Sequence, residues 1–147
     1  MNVQDLMSKD VTCCGSDTSL QDVAAMMVDC DCGEIPVVDG RGQLLGVITD
    51  RDIVCRTVAR GHNPLELTAA DAMTSPAVTV EPEMSVKDCC DKLEHHQIRR
   101  VPVVSETGRC IGIVSVADIA RNASGRATAE VVQEVSKPSV RSSASPL

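Results

Sequence analysis

Two short segments place a hydroxyl and a carboxylate three residues apart, directly after an apolar run. They read T-D-R-D from Thr49 to Asp52 and S-V-A-D from Ser115 to Asp118. Each segment is predicted to join the end of a strand to the start of a helix, where free backbone N–H groups and the helix dipole favour an anion. The hydroxyl can donate to a phosphate oxygen, and the carboxylate can accept from hydroxyl groups.

The same spacing has a second interpretation, which concerns folding alone. A Ser or Thr followed three residues later by an acid is a helix N-cap with a reciprocal acidic partner. An isolated segment of this kind favours the cap. The context of the two segments therefore decides whether a binding site is predicted as well.

That context is an internal repeat. Shifting the chain by 66 residues lays residues 5–54 (the first copy) on residues 71–120 (the second copy) without a gap. Identical pairs include Met7/Met73, Ser19/Ser85, Pro36/Pro102, Gly42/Gly108, Gly46/Gly112 and Asp52/Asp118. So many ungapped matches indicate a tandem duplication, and the chemistry-bearing segments are equivalent positions of its two copies.

Each copy is predicted to form strand, helix, strand, strand and helix, from apolar periodicity and turn residues. In the first copy the elements are residues 11–14, a helix from Leu20, 35–39, 44–49 and 50–60. In the second they are 77–80, a helix from Val86, 101–105, 110–115 and 116–122. A short helical stretch at 67–73 links the copies, residues 127–135 form an amphipathic helix, and residues 136–147 are a Ser/Pro-rich tail.

Composition excludes several classes of function. The 147 residues include no Phe, Tyr or Trp, so the core must be aliphatic and the stacking platforms used for single-stranded nucleic acid are missing. The net charge of −7 argues against a phosphate-backbone binder. The start of the chain has no apolar core typical of a signal peptide, and no apolar run approaches membrane-spanning length. We expect a cytoplasmic protein that binds neither nucleic acid nor membranes.

The eight cysteines are expected to be thiols, as in a reducing compartment. No C-x-x-C occurs, so the metal-binding signal is weak. Four of the cysteines align with core-type positions of the other copy and are expected to pack as small hydrophobic residues: Cys32, Cys89, Cys90 and Cys110. Cys13 and Cys14 lie on the first strand, where at least one is expected to face a cleft rim. His95 and His96 are interpreted as a helix-end pair, with a Cys/His metal site as the alternative.

At these residues the chain resembles the CBS family. The resemblance rests on a Met-Ser or Met-Thr opening, an h-P-V-V strand and a G-h-h-[TS]-x-x-D signature, each present in both copies. It covers about residues 3–120, and it is strongest to small stand-alone bacterial CBS-pair proteins of the mycobacterial hypoxic-response type. Two stretches carry that likeness, T-D-R-D-I-V from Thr49 and E-H-H-Q-I-R-R-V-P-V from Glu94.

The resemblance implies an α/β (α+β) fold of tandem CBS motifs, each β-α-β-β-α, packed about a pseudo-twofold axis with two clefts between them. Motif 1 with its linker spans residues 1–66, motif 2 spans 67–122, and a C-terminal helix and tail span 123–147, all within one integrated domain. CBS pairs commonly dimerise, and we expect a homodimer held by apolar residues of the second helices: Ile53, Val54, Val58, Ile119 and Ala120.

The resemblance also assigns ligand-binding roles. The clefts of the family bind adenine nucleotides, so AMP or a related nucleotide is the expected ligand and no cofactor is required. Thr49 and Ser115 then contact phosphate, and Asp52 and Asp118 accept from the ribose hydroxyls. The backbone of Ile35-Pro36 and Val101-Pro102 reads the adenine edge.

The two copies differ just before the proline-bearing strand. The second has Arg99 and Arg100, whereas the first has Gly33 and Glu34. A planar guanidinium suits phosphate, and a carboxylate repels it. The second copy is therefore predicted to be the better phosphate site, with a solvated strand end as the alternative role of the two arginines.

A regulatory, non-enzymatic module that senses adenine nucleotides for an unknown partner protein is the predicted function. No nucleophile–base spacing, phosphate-binding Gly-rich loop or carboxylate pair indicates an enzyme. A thiol- or metal-responsive sensor is the first alternative, given the eight cysteines, and a non-binding dimeric scaffold is the second.

Overall fold

The computed structural model describes residues 1–122 and 125–138. In chain order its elements are α1 (Val3–Leu6), α2 (Leu20–Cys30), β1 (Glu34–Val38), β2 (Leu44–Thr49), α3 (Asp50–Arg56), 3₁₀ turns at Val58–Arg60 and Pro64–Glu66, α4 (Ala69–Ala72), α5 (Val86–His96), β3 (Arg100–Val104), β4 (Cys110–Ser115), α6 (Val116–Asn122) and α7 (Gly125–Val135). β1 pairs with β2 and β3 with β4 in two separate two-stranded sheets. This mixed α+β architecture confirms the predicted fold class.

The chain forms two compact units. The first-copy unit comprises Asp10–Ala77 and Thr107–Cys110. The second-copy unit comprises Met1–Lys9, Val78–Glu106 and the described residues of 111–122 and 125–138. Each has its own aliphatic core, as the absence of aromatic residues required.

In the first-copy unit, the core lies between α2 and the β1–β2 hairpin. Leu20 and Val23 of α2 pack with Ile35 and Ile48 of the hairpin. Spacing of three residues puts the first two on one helix face. β1 and β2 are antiparallel, with Ile35 opposite Ile48, and Gly42 turns the hairpin at a φ of 81°, a value that favours glycine.

In the second-copy unit, α5 and β3 form the equivalent core, with Leu93, Val101 and Val103 fully buried. The amphipathic helix α7 adds Val131 and Val135 to this core. This confirms the helix predicted at residues 127–135, which begins two residues earlier than expected. Of the predicted tail, the residues from 139 onward lie outside the described part of the chain.

Side-chain caps start the long helices. Ser19 accepts from the N–H of Asp22 and Ser85 from the N–H of Asp88, each at 3.1 Å. Both helices end at a non-glycine residue in the left-handed region, with φ 51° at Asp31 and 52° at Gln97. The 66-residue repeat therefore extends to the backbone conformation of its helix ends.

Each unit contains the opening segment of the other sequence copy, which is the stretch that carries Met7-Ser8 or Met73-Thr74. The backbone of Thr74, after α4, exchanges hydrogen bonds of 3.0 and 2.8 Å with Val47 on β2. Ser8, after α1, exchanges bonds of 2.9 and 3.0 Å with Ile113 on β4. These two bridges are equivalent under the repeat. In the structure, α1 therefore belongs to the second-copy unit and α4 belongs to the first-copy unit.

Three sequence predictions need correction. The strands predicted at residues 11–14 and 77–80 are wrong in extent, because only Cys14 and Val80 form a bridge, to Val37 and Val103. The helix predicted at 50–60 ends at Arg56 and continues as a 3₁₀ turn. The helix predicted at 67–73 is confined to α4, and α1 was not predicted.

Within the described residues, the helices are too short or too polar to cross a bilayer.

The bridges predict which glycines the fold requires. A methyl group at Gly46 would overlap the Thr74 carbonyl oxygen, which is backbone and cannot turn aside. At Gly112 it would lie 2.6 Å from Met7 Sδ, a flexible side chain. We expect Gly46→Ala to lower the free energy of unfolding by about 1–3 kcal/mol, as overpacking does, and Gly112→Ala to cost less.

Gly40→Ala is the matched control, because a methyl group there meets no atom within 4 Å. Urea denaturation of the three variants checks the order. Equal stability of Gly46→Ala and Gly40→Ala would contradict the close approach of the Thr74 segment.

Candidate functional site

At the end of β2, Thr49 and Asp52 form a reciprocal helix cap. Thr49 Oγ1 accepts from the Asp52 N–H at 3.0 Å, and Asp52 Oδ2 accepts from the Thr49 N–H at 3.0 Å. Asp52 Oδ1 lies 3.7 Å from Arg56 Nε. The capping interpretation of this segment is therefore confirmed, and both carboxylate oxygens already have a partner.

The equivalent cap at the end of β4 has more hydrogen bonds than the cap at the end of β2. Asp118 Oδ2 accepts from both the N–H and the hydroxyl of Ser115, at 2.9 and 3.0 Å, while Ser115 Oγ accepts from the Asp118 N–H at 3.2 Å. Asp118 Oδ1 pairs with the guanidinium of Arg121. Asp118 is only 5% exposed, so this carboxylate is held in one place by three donors.

A backbone hydrogen bond brings the start of the proline-bearing strand to each cap. The N–H of Val116 donates to the Arg99 carbonyl at 2.9 Å, and the N–H of Asp50 donates to the Gly33 carbonyl at 3.0 Å. In the first copy Glu34 is also the register partner of Thr49. Arg99, Arg100 and the Ser115–Asp118 cap thus lie at one end of the second-copy unit.

The charges at these equivalent ends are opposite. The first-copy end carries Glu34 and Asp50 beside Asp52, whereas Arg100 and Val116 occupy the matching positions of the second copy. Arg100 is half-buried and Arg99 is exposed. A basic residue therefore stands at the start of the proline-bearing strand in the second copy, whereas the first copy has an acidic residue there.

The four residues predicted to read adenine are interior. Ile35 and Val101 are fully buried, and Pro36 and Pro102 are also buried. The Pro36 carbonyl accepts from the Cys14 N–H at 3.0 Å, and the Pro102 carbonyl accepts from the Val80 N–H at 3.1 Å. A carbonyl oxygen has a second lone pair, which is what an adenine edge must use. This contact stays a prediction.

A pocket of about 470 Å³ lies beside the first-copy end. Its lining residues are Met27, Val28, Asp31, Cys32, Gly33 and Asp50. The two carboxylates of this lining oppose phosphate binding there, in agreement with the charge difference between the copies.

Comparison with known proteins shows what this repeated arrangement is. The CBS domain model matches the chain twice, at residues 3–56 and 69–125. The chain belongs to the CBS family. The two matches coincide with the two sequence copies, and each contains one hydroxyl–carboxylate cap.

Similar proteins cover nearly the whole chain. Hypoxic response protein 1 of Mycobacterium tuberculosis is 36% identical over 135 residues, which is 92% of this chain and 94% of that protein. A crystal structure of Hypoxic Response Protein I with two coordinated zinc ions is 37% identical, with a TM-score of 0.77 over 84% of this chain and all of that one. The CBS domain pair of protein MJ0100, in complex with 5′-methylthioadenosine and S-adenosyl-L-methionine, is 29% identical, with a TM-score of 0.74 over 82% of this chain and 98% of that one.

The cysteines of this CBS pair divide into three groups. Cys14, Cys89 and Cys90 are buried in the cores, where burial raises the pKa of Cys14 to about 11 and that of Cys89 to about 12. Cys30 and Cys32 form a disulfide, so the expectation that all eight are thiols is wrong for this pair. The remaining three are half-buried thiols: Cys13, Cys55 and Cys110.

His95 and His96 end α5 as an exposed, edge-to-face pair with ring centroids 4.9 Å apart. Burial first, then the neighbouring His95 and Lys92, lowers the pKa of His96. Among the residues that the structure describes, His, Cys, Asp and Glu side chains nowhere form a group of three arranged to hold a metal ion.

Arg121 and Arg56 pair with the two cap carboxylates, and the sequence interpretation missed both. Arg121 pairs with Asp118 across three residues, and Arg56 with Asp52 across four. Arg56 also donates to the Met73 carbonyl at 2.8 Å and thereby ties the cap to the opening segment. An acid followed by a base at such spacing on a helix is the signal that identifies both.

The caps predict a stability effect that is separate from ligand binding. Asp118→Ala removes three hydrogen-bonded partners from a buried position, and we expect it to lower the free energy of unfolding by about 1–3 kcal/mol. Glu81→Ala, at an exposed position with the same change of charge, should change it by less than about 0.5 kcal/mol. Urea denaturation without ligand checks both, and a neutral Asp118→Ala would contradict the observed cap.

Proposed function

We propose that this protein is a regulatory CBS pair that binds an adenine nucleotide, AMP or a close relative, with the phosphate at the second-copy cap. The proposed role is binding and not catalysis. The site residues are those predicted from the sequence, with Ser115, Asp118, Arg99 and Arg100 forming the stronger site and Thr49 and Asp52 the weaker one. A cytoplasmic location is part of the proposal and rests on composition.

One observation carries the proposal. The hydrogen bond from the Val116 N–H to the Arg99 carbonyl sets the arginine-bearing start of β3 beside the Ser115–Asp118 cap. A guanidinium and a hydroxyl are both suited to phosphate. A carboxylate a few ångströms away is suited to a ribose diol. Together these groups match the polar part of a nucleotide.

Nucleotide binding requires a rearrangement within the cap, because three donors already occupy Asp118. A carboxylate offers about four acceptor sites, and two ribose hydroxyls need two of them. If the Ser115 hydroxyl turns from Asp118 towards phosphate, one ribose hydroxyl can replace it at Oδ2. This exchange leaves the backbone cap and the Arg121 ion pair in place, so the ligand gains contacts without unfolding α6.

The similar structure of protein MJ0100 supports the ligand class. Its two ligands, 5′-methylthioadenosine and S-adenosyl-L-methionine, are both adenosine derivatives. Neither carries a phosphate. The preference of the present chain for a phosphate-bearing ligand is therefore inferred from Arg99 and Arg100 and not from that structure.

We also propose a homodimer, formed through α3 and the 3₁₀ turn that follows it. Val54 and Val58 are 55% and 58% exposed on this segment. Exposed aliphatic side chains this close together favour association of like chains. Ile119, which was predicted to share in this surface, is fully buried in the second-copy core and is excluded from the proposed interface.

Calorimetry on single variants tests the nucleotide site. Asp118→Ala should weaken AMP binding by about 1–3 kcal/mol, because the ribose acceptor is lost. Arg100→Ala should weaken AMP much more than adenosine, because AMP alone carries the charge that the guanidinium meets. Asp52→Ala, the equivalent change in the first copy, should have the smaller effect.

Arg121→Ala is measured for comparison with Arg100→Ala, because it also removes a positive charge near Asp118. The Arg121 side chain is 68% exposed. An equal loss of AMP and adenosine affinity in Arg100→Ala would contradict the phosphate role. Loss of binding in Asp52→Ala, with Asp118→Ala unaffected, would move the site to the first copy.

Light scattering tests the dimer. We expect the wild-type chain at micromolar concentration to have twice the mass of one chain, and Val54→Glu with Val58→Glu to give a monomer that remains folded. Val28→Glu is the control, since Val28 is 80% exposed on α2 and outside the proposed surface. A wild-type monomer, or dissociation by the control alone, would refute this interface.

A further inference from the structure

The end of α2 carries a disulfide between Cys30 and Cys32. Cys30 is the last residue of the helix and is exposed, Asp31 caps the helix, and Cys32 is half-buried. The two cysteines are only two positions apart, so the bond joins no separate elements of the fold. A disulfide that closes so short a loop restricts the unfolded chain less than one that closes a long loop. Its place in the chain therefore favours a role other than stabilising the fold.

The second copy shows that the turn forms without this bond. His96, Gln97 and Ile98 occupy the equivalent positions. The φ of Gln97 is 52°, against 51° at Asp31. The N–H of Ile98 donates to the carbonyl five residues before it at 3.1 Å, and the N–H of Cys32 makes the same bond at the same distance. The helix end thus takes one conformation in both copies, with or without a disulfide.

Backbone hydrogen bonds hold the turn on both sides of the cysteines. The N–H of Asp31 donates to the carbonyls of Met27 and Val28, and the Gly33 carbonyl accepts from the N–H of Asp50 at 3.0 Å. The Cα atoms of the two cysteines lie 5.3 Å apart, within the range of about 4.4–6.8 Å that a disulfide accepts. The bond can therefore open and close again without movement of α2 or β1.

Reagents can reach the disulfide from solvent. Cys30 is exposed, and Cys32 lines the pocket of about 470 Å³ beside the first-copy end. The buried cysteines of the two cores offer no such access. Exposed disulfides are typically the labile, regulatory or catalytic ones, whereas structural disulfides resist reduction.

We propose that Cys30 and Cys32 form a redox-active disulfide, which a dithiol reductant opens and a disulfide oxidant closes while the turn at Asp31 keeps its conformation. The site takes up and releases two electrons. It lies in the first copy and does not depend on nucleotide binding at the second-copy cap.

The exchange balances with a dithiol as reductant. One thiolate of the reductant attacks Cys30 Sγ, the more exposed sulfur, and the bond to Cys32 breaks, so Cys32 leaves as a thiolate and takes a proton. The second thiolate of the reductant then attacks the reductant sulfur of this mixed disulfide and releases Cys30, which is protonated in turn. The reductant becomes a disulfide and loses two electrons. In the reverse direction, a disulfide oxidant leaves as two thiols.

The test uses the full chain, purified without reductant. Free thiols are first blocked with N-ethylmaleimide, the native protein is treated with excess dithiothreitol, and the new thiols are labelled with iodoacetamide and located by mass spectrometry with peptide fragmentation. We expect the label at Cys30 and Cys32, formed at a rate within about tenfold of the rate in urea, because access needs no unfolding. Glutathione disulfide, added after dithiothreitol is removed, should abolish the labelling.

Further measurements separate a redox role from a structural one. On reduction, amide hydrogen exchange of α2 should change by less than about tenfold, because the backbone bonds of the turn remain. The double variant Cys30→Ser with Cys32→Ser should stay folded by circular dichroism. Cys55→Ser, the same change at a half-buried thiol on α3, is the matched control and should leave the labelling of the pair unchanged.

Other outcomes overturn the proposal. Labelling of the pair in urea but not in the native protein would show a structural disulfide. An increase in α2 amide exchange of about a hundredfold or more on reduction, or unfolding of the double variant, would show that the bond holds the turn. N-ethylmaleimide on both cysteines before reduction, with no closure by glutathione disulfide, would show that the pair does not cycle.

Discussion

The structure depends on the pairing of each opening segment with a strand of the other copy. Thr74 bridges to Val47 and Ser8 bridges to Ile113, each beside a glycine that leaves room for the approach. A two-stranded hairpin by itself is marginally stable at best in water. The opening segment supplies further backbone hydrogen-bond partners to the hairpin. Thr74 provides them for β2, and Ser8 provides them for β4. Because these strands end in the caps, the same pairing also fixes where Thr49 and Ser115 lie.

A cap that stabilises the fold can also serve as a binding site, because the two roles use different lone pairs and protons. The N–H of Ser115 and the guanidinium of Arg121 hold Asp118, while the Ser115 hydroxyl can rotate. The duplication then provides two equivalent scaffolds whose charges have diverged. Arg100 in place of Glu34 changes the chemistry of one end without altering the hydrogen bond that places it.

The sequence predicted the features that depend on local pattern. The helices from Leu20 and Val86 follow apolar spacing and Ser caps, and the hairpins follow their glycines. Four-residue α1 was missed because it is held by tertiary bonds, such as that from the Val3 N–H to the Met84 carbonyl at 2.9 Å. The strand at residues 11–14 was overestimated because its apolar and β-branched residues suit a strand, yet only Cys14 has a partner there.

The bridge of Ser8 to Ile113 needs coordinates, since the sequence pattern does not fix contacts between segments that are distant in the chain. The central claim is that the second-copy cap receives the phosphate of an adenine nucleotide. Amide chemical-shift mapping during AMP addition tests it most directly. We expect the largest shifts at Ser115–Asp118 and Arg100, with smaller shifts at Thr49–Asp52. Shifts confined to the first copy, or none at millimolar AMP, would contradict it.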